Sequence, residues 1–132
     1  ALAIETVELT RRFGERTAVA DLTLAIPAGT VFGFLGPNGA GKTTTVRMLT
    51  ALIAPSGGAA RVAGFALGAE DTALRRAVGI LTETPGLYDR LSARQNLVFF
   101  ARLYDLARPT AEAQAERYLR MLGLWERRDD PA

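Results

Sequence analysis

The stretch from Gly33 to Leu49, GFLGPNGAGKTTTVRML, restricts the possible folds of this chain more than any other segment. Its residues 36–43 fit the pattern G-x-x-x-x-G-K-[ST], in which a glycine-rich loop joins a strand to a helix. The apolar run TVFGFLG before the loop is typical of a strand in the middle of a parallel sheet. The residues after the loop have the spacing of an amphipathic helix. The sequence therefore predicts a strand–loop–helix unit.

The residue types of this loop suit the binding of phosphate groups. Glycines allow successive backbone N–H groups to turn toward a phosphate chain without a Cβ in the way. The following helix adds unpaired N–H groups and the positive end of its dipole. Lys42 is the only lysine among the 16 basic residues, and its compact ammonium can reach phosphates where a planar guanidinium fits poorly. Because Thr43 adds a hydroxyl for Mg²⁺, the loop is predicted to bind a nucleoside phosphate.

The composition excludes several kinds of chemistry. The 132 residues include no cysteine and no histidine, which excludes disulfides, thiolate or imidazole metal ligands and catalysis by those side chains. The net charge is only +2, so no nucleic-acid partner is expected. Glu5 and Glu8 interrupt the region where a signal peptide would need an apolar core. No apolar stretch is long enough to span a membrane, so a function at a membrane would need another component to cross it.

The spacing of apolar residues predicts strands in the first half of the chain and helices toward its end, an α/β pattern. The predicted strands are residues 2–13, 17–27, 30–36, a segment after PSGG, and 78–83. The predicted helices are residues 42–53, 70–77, 93–106 and 110–123, with Ser92 and Gln95 as a capping box for the third. In the first strand, Ile4, Thr6 and Glu8 are expected on one face and Glu5, Val7 and Leu9 on the other. The first and last helices are expected to bury Val46, Leu49, Leu52 and Ile53, and Ala115, Tyr118, Leu119 and Leu122.

Two longer passages resemble the nucleotide-binding subunits of ABC transporters. One runs from Val7 to Gly64 and includes GPNGAGKTTT and PSGG; the other, RRAVGILTETPGLYDRLSARQNLVFFARLYDL, is most similar to subunits of export-type bacterial transporters. The resemblance covers essentially the whole chain. It implies an α/β fold, the N-terminal part of a P-loop NTPase ABC-type nucleotide-binding domain. That part would comprise an antiparallel β subdomain and the Walker A strand–loop–helix, within an ATP-binding core portion at residues 1–91, and the start of a helical subdomain at 92–132.

The resemblance also implies roles for individual residues. Phe13 lies where the family has the aromatic residue that stacks on adenine; an ordinary hydrophobic residue closing a hairpin is the alternative. Glu83 lies where the family usually has a glutamine that helps to coordinate Mg²⁺ and reports the nucleotide state, and a carboxylate can also ligate Mg²⁺; a surface glutamate is the alternative. ATP and Mg²⁺ are the implied cofactors. The implied binding residues are Phe13, Gly36, Pro37, Asn38, Gly39, Ala40, Gly41, Lys42, Thr43 and Thr44, with Thr43 and Glu83 as metal ligands and Lys42 and Glu83 as catalytic residues.

Several parts of the family's machinery do not occur in these 132 residues: the LSGGQ-type signature, the Walker B aspartate, the catalytic glutamate and the switch histidine. The resemblance thus implies a part truncated before the signature and Walker B, which binds Mg·ATP without efficient hydrolysis. The intact protein would be an ABC-type ATPase. There, a second nucleotide-binding domain would complete a dimer that drives a transmembrane permease from the cytoplasmic face of the cell membrane. Leu87, Tyr88, Phe99 and Phe100 belong to the region that docks the permease, although Phe99, Phe100 and Tyr104 are expected to be core aromatics.

Two other functions remain open from the residues. One is an ABC-like ATPase acting on DNA or ribosomes, which long coiled-coil or linker insertions would mark; none appears here. The other is a non-catalytic nucleotide-binding or assembly module. Without a Walker B strand beside the Walker A strand, a sheet edge and an apolar face are expected to be uncovered. The chain is therefore predicted to be marginally stable or to associate with another copy.

Overall fold

A computed structural model of the chain describes residues 1–84 and 86–132. The chain divides into two compact units, Ala1–Leu81 and Thr82–Ala132. The predicted division of the domain at residue 91 concerns functional subdomains and stays a prediction. None of the helices within the described ranges is both long enough and apolar enough to span a bilayer.

The first unit is built on a hairpin of two long antiparallel strands. These are β1 (Leu2–Phe13) and β2 (Arg16–Pro27), with the turn at residues 14–15. β3 (Gly57–Val62) pairs antiparallel with the other edge of β1, and the short β4 (Phe65–Ala66) follows it, so the strand order is β2-β1-β3-β4. The predictions for the first two strands and for a strand after PSGG are confirmed, as is the antiparallel β subdomain. β4 was not anticipated by the apolar spacing.

A bulge in β1 changes which side chains face the core. Thr6 pairs with Leu24 but Leu9 with Leu22, so β1 carries one extra residue over this interval. The same extra residue appears against β3, and Glu8 has a φ of 49°. Thr6 and Leu9 are therefore both buried, at 1% and 0% exposure. The predicted strict alternation, which placed Leu9 on the face opposite Thr6, is wrong beyond the bulge.

The helix after the glycine-rich loop, α1 (Lys42–Leu49), is shorter than predicted. The chain leaves the helix at Thr50 and takes a positive φ of 55° at Ala51, where the N–H bonds back to Met48 O. The prediction that this helix continues to Ile53 is wrong, because the left-handed conformation of Ala51 interrupts the right-handed helix.

The face that α1 turns to the sheet also differs from the prediction. Its buried residues are Thr45 and Met48, whereas Val46 and Leu52 are 40% and 54% exposed. Leu49 and Ile53 do pack, as partly buried residues, against the core cluster of Leu9, Val19, Met48 and Ala60. Of the four residues predicted to be buried, Leu49 and Ile53 thus pack against the core, whereas Val46 and Leu52 do not. A second helix, α2 (Asp71–Ala77), begins one residue after the predicted start at Glu70, has Asp71 in its first turn and buries Leu74 completely.

Two apolar segments predicted as strands have no strand pairing among the described residues. Residues 30–36, the expected Walker A strand, have no regular secondary structure, and Val31 and Leu35 are 104% and 92% exposed. Residues 78–83 are likewise unpaired, and Leu81 is 91% exposed. An isolated strand gains no ladder hydrogen bonds, and the described sheet uses only β1 to β4. The strand prediction for these two segments is therefore wrong for this structure.

The second unit is a pair of packed helices, α3 (Ala93–Leu103) and α4 (Arg108–Met121), followed by a short 3₁₀ helix at Trp125–Arg127. α3 ends before the predicted Leu106. α4 begins two residues before the predicted Thr110, because Pro109 suits the first turn of a helix. The buried residues of α4 are Ala111, Ala115 and Leu119. The predicted Tyr118 and Leu122 are instead 45% and 65% exposed.

Candidate functional site

The glycine-rich loop, residues 36–44, lies against the β1–β2 hairpin through Gly41. This residue is the N-cap of α1 and has a φ of 91°. A Cβ built on it would lie 2.3 Å from Ala18 O and 3.1 Å from Val19 Cγ2, both in β2. Only glycine tolerates this conformation and this approach together. This close packing holds the start of α1 against β2. β2 pairs with β1, and Phe13 lies at the end of β1 next to the hairpin turn.

Lys42 folds back across the loop that precedes it. Its ammonium donates to Gly36 O and to Pro37 O, the latter at 3.1 Å. Between these carbonyls and the helix, Ala40 N donates to Pro37 O at 3.2 Å in a turn with Gly39 at a φ of 84°. The lysine charge therefore lies beside the backbone of the loop itself, in the position from which a cation can meet a bound anion.

The backbone amides at the start of α1 differ from those at the start of α3. At α3, every amide of the first turn has a protein acceptor: Ala93 N bonds to Asp130 O, Arg94 N to Arg128 O and Gln95 N to Ser92 Oγ. The capping box of Ser92 and Gln95 is thus confirmed. At α1, no side chain caps the helix, and among the described residues no acceptor is recorded for the amides of Lys42, Thr43 and Thr44. These three donors are available to an anion.

The three consecutive threonines of α1 are not equivalent. Thr45 is 2% exposed and its hydroxyl donates to Gly41 O at 2.9 Å, so it serves the helix. Thr43 is exposed, Thr44 is half-buried, and neither hydroxyl has a hydrogen-bond partner in the described part of the chain. The hydroxyls of Thr43 and Thr44 are therefore both left free for a ligand. Free amides, a lysine ammonium and a free hydroxyl form a donor set that fits a Mg·nucleoside phosphate.

Phe13 lies at the hairpin end of β1, opposite Arg16, and is 48% exposed. The Arg11 guanidinium carbon lies 4.6 Å from the centre of its ring. Arg11 pairs across the hairpin with Val19, the residue that Gly41 approaches, so the structure brings Phe13 and the loop to the same end of the hairpin. Sequence reasoning found Phe13 but missed Arg11, which is one of two basic residues before Phe13 and has no motif to distinguish it.

Glu83, the predicted metal ligand and catalytic residue, belongs to the second unit and lies exposed on a bend. The next residue but one, Pro85, is outside the described residues. Within the described ranges no group of three acidic residues is arranged to hold a metal ion by itself. The role of Glu83 as a metal ligand and catalytic residue stays a prediction.

Three aromatic side chains of the second unit form a cluster that joins the segment before α3 to the second half of this helix. Tyr88 lies 5.2 Å from Phe99 and 6.1 Å from Phe100, measured between ring centres. Tyr88 and Phe99 are 52% and 39% exposed, and Tyr104 is 61% exposed. The expectation that Phe99 and Tyr104 are core residues is wrong, because both side chains remain exposed.

Asn96 holds the segment before α3 in place and was missed by sequence reasoning. It is 2% exposed; its Oδ1 accepts from Tyr88 N at 2.9 Å, and its Nδ2 donates to the carbonyls of Tyr88, Leu91 and Ser92. A single polar residue on a predicted amphipathic helix is usually assigned to the solvent, so no sequence signal distinguished it.

Residues 19–132 match the sequence profile of the ABC transporter family. The chain belongs to this family. It is 39% identical over 127 residues to the daunorubicin/doxorubicin resistance ATP-binding protein DrrA of Streptomyces peucetius, covering 96% of this chain and 38% of that protein. It is 36% identical to the bacitracin transport ATP-binding protein BcrA of Bacillus licheniformis, covering 92% of this chain and 39% of that protein.

Known structures agree with the assignment to the ABC transporter family. A solved structure of an ATP-binding subunit of an ABC transporter superposes on 99% of this chain and 54% of its own, with a TM-score of 0.82 and 28% identity. The recognition of an ABC nucleotide-binding subunit and its fold class are thereby confirmed. This ABC family chain spans only about two-fifths to one-half of the length of these proteins.

Proposed function

We propose that this ABC family chain binds Mg·ATP through residues 36–44, as the ATP-binding part of a transporter subunit. One observation carries the proposal: the amides of Lys42, Thr43 and Thr44 have no recorded protein acceptor, and the Lys42 ammonium lies beside the same loop. A phosphate chain placed there would receive backbone donors, the dipole of α1 and a compact positive charge. The ATP-binding proteins named above support ATP as the nucleotide.

Mg²⁺ is part of the proposal because the donor set offers it a ligand. The free hydroxyl of Thr43 can enter the coordination shell of a magnesium ion bound to the outer phosphates. When bound, the ion shields the phosphate charge and supports phosphoryl chemistry. Glu83 is proposed as a second contributor to that shell. Hydrolysis is proposed for the whole protein as an ABC-type ATPase; the activity of these 132 residues by themselves is left open.

The proposed partners are a transmembrane permease and a second nucleotide-binding domain, with the protein held at the cytoplasmic side of the cell membrane by the permease. Tyr88 and Phe99 are exposed beside the half-buried Phe100, and Leu87 is also exposed. This apolar surface supports a docking role for α3 and the segment before it. The relatives named for drug resistance and bacitracin transport support a role in export.

Nucleotide binding is tested by isothermal titration calorimetry with Mg·ATP on the wild-type chain and on Lys42→Ala. Removing the ammonium is expected to weaken binding by about 10- to 100-fold, because a hydrogen bond to a charged group contributes about 1.5–3 kcal/mol. Arg47→Ala is the matched control, since it removes an exposed cation from the same helix.

The control is expected to bind Mg·ATP within about twofold of wild type. Equal losses in the two variants would mean that the binding is nonspecific charge attraction. A wild-type chain that is folded by circular dichroism and takes up no Mg·ATP would overturn the proposal.

A further inference from the structure

The half-buried Arg11 side chain makes two specific contacts, one with a backbone carbonyl and one with an aromatic ring. Its Nη1 donates to Ala54 O at 2.7 Å, in the segment that follows α1. That segment is itself pinned beside β1, since Ser56 N donates to Thr10 O at 2.8 Å and Arg12 N to Ser56 Oγ at 2.9 Å. The guanidinium is thus attached to a stretch of backbone that cannot easily move away from the end of β1.

A second contact of Arg11 is with the ring of Phe13. The guanidinium carbon is 4.6 Å from the ring centre, a distance at which a cation is attracted to an aromatic face. Arg11 Nε is buried and has no hydrogen-bond partner. An unpaired buried donor is costly, so the contact with the ring and the bond to Ala54 O must together hold the group in place.

This arrangement leaves Phe13 with two unlike faces. One face is covered by the guanidinium, while the ring as a whole is still 48% exposed. A flat ligand can therefore stack only on the face turned away from Arg11. Because the guanidinium blocks rotation of the ring toward its own side, it also limits the orientations that Phe13 can adopt.

The hairpin end that carries Phe13 also contacts the phosphate loop. Arg11 pairs with Val19 across the hairpin, and a Cβ on Gly41 would lie 3.1 Å from Val19 Cγ2. One rigid hairpin end thus carries Phe13 on one strand and supports the start of α1 with the other.

We infer that Arg11 is a positioning residue for the purine base of the nucleotide: it holds the Phe13 ring by its covered face, so that the base stacks on the open face. The inference rests on the proposed function. The inference adds to that function a dependence of base recognition on the Arg11 guanidinium, although this group does not contact the nucleotide. Anchoring that cation to Ala54 O links the orientation of the ring to the segment that ends α1.

The test compares two probes, Mg·ATP and magnesium tripolyphosphate, because only the first carries a base. Arg11→Met is expected to weaken Mg·ATP binding by about three- to tenfold and tripolyphosphate binding by less than about twofold. Arg11→Lys keeps the charge but not the planar group, and its loss for Mg·ATP should be intermediate. Arg12→Met is the matched control at the neighbouring exposed position and should bind both probes like wild type.

A double-mutant cycle separates positioning from a general structural role. If Arg11 acts through Phe13, then Arg11→Met should change Mg·ATP binding by less than about twofold in a Phe13→Leu background. Additive effects of the two substitutions, equal losses for both probes, or no loss in Arg11→Met would each overturn the inference. If Arg11→Met does not fold, Arg11→Lys gives the same comparison.

The proposed function and this inference fail in different ways. A wild-type chain that binds neither probe would contradict both the proposed function and the inference about Arg11. A chain that binds tripolyphosphate and Mg·ATP with the same affinity would keep the phosphate site and remove the role of Phe13 and Arg11.

Discussion

At the scale of single residues, two positions of the phosphate loop require glycine for different structural reasons. Gly41 has a positive φ and a β2 carbonyl oxygen 2.3 Å from the position of a Cβ. Gly39 also has a positive φ, of 84°, but nothing lies within 4 Å of its Cβ position. The first is constrained by conformation and packing, the second by conformation alone.

Gly41→Ala is therefore expected to destabilise the chain more than Gly39→Ala does. A left-handed conformation costs a non-glycine residue about 1–2 kcal/mol, and both variants share this cost. The clash with Ala18 O should add about 1–3 kcal/mol in Gly41→Ala alone. Urea denaturation followed by circular dichroism measures the difference. Equal destabilisation of the two variants would mean that α1 can move away from β2 without loss.

At the scale of elements, α3 depends on one buried side chain. Asn96 makes four hydrogen bonds to the backbone of residues 88–92 and so joins the helix to the segment that leads into it. The exposed Tyr88, proposed for permease docking, owes its position to two of these bonds.

Asn96→Ala is expected to lower the free energy of unfolding by about 2–4 kcal/mol, because it removes four hydrogen bonds of a buried side chain and leaves the Tyr88 N–H without its acceptor. Amide exchange at Tyr88 should accelerate, since its N–H loses its acceptor. Gln114→Ala is the control, as Gln114 is half-buried and has no hydrogen bond among the described residues. Unchanged exchange at Tyr88 would show that other contacts hold this segment.

The sequence allowed the helices, the hairpin and the phosphate loop to be predicted, because their signals are local. Ser92 and Gln95 sit three residues apart, and the glycines and Lys42 of the loop form a continuous pattern. The bulge at Glu8 could not be foreseen, since glutamate rarely takes a positive φ and only the pairing on both sides of β1 reveals it. The contact of Arg11 with Ala54 joins residues 43 positions apart, which no periodicity records. Strands at residues 30–36 and 78–83 were predicted from apolar character, but a strand also needs a neighbour to pair with.

At the scale of the whole molecule, the first unit has exposed apolar side chains outside its helices and strands. Val31, Leu35 and Leu81 are each more than 90% exposed, and Phe32 is 51% exposed. Exposed apolar side chains on backbone that pairs with no strand form a surface that other chains can cover.

The chain at micromolar concentration is accordingly expected to self-associate in sedimentation velocity experiments. Val31→Lys combined with Leu35→Lys should shift it toward the monomer, because charges oppose the burial of this segment. Leu103→Lys places the same charge on an exposed residue of the second unit, and this control should leave association unchanged. A wild-type chain that is monomeric and melts cooperatively in dilute solution would contradict the prediction.

The bonds from the Lys42 ammonium to Gly36 O and Pro37 O have a consequence for how its contribution is measured. A nucleotide arriving at the loop must compete with these carbonyls for the same three protons. The contribution of Lys42 to affinity is then the free energy of its contact with phosphate minus that of its bonds to the two carbonyls. The loss of affinity on replacing Lys42 will therefore be smaller than the free energy of the phosphate contact alone. The same competition gives the free loop a defined shape before any ligand enters.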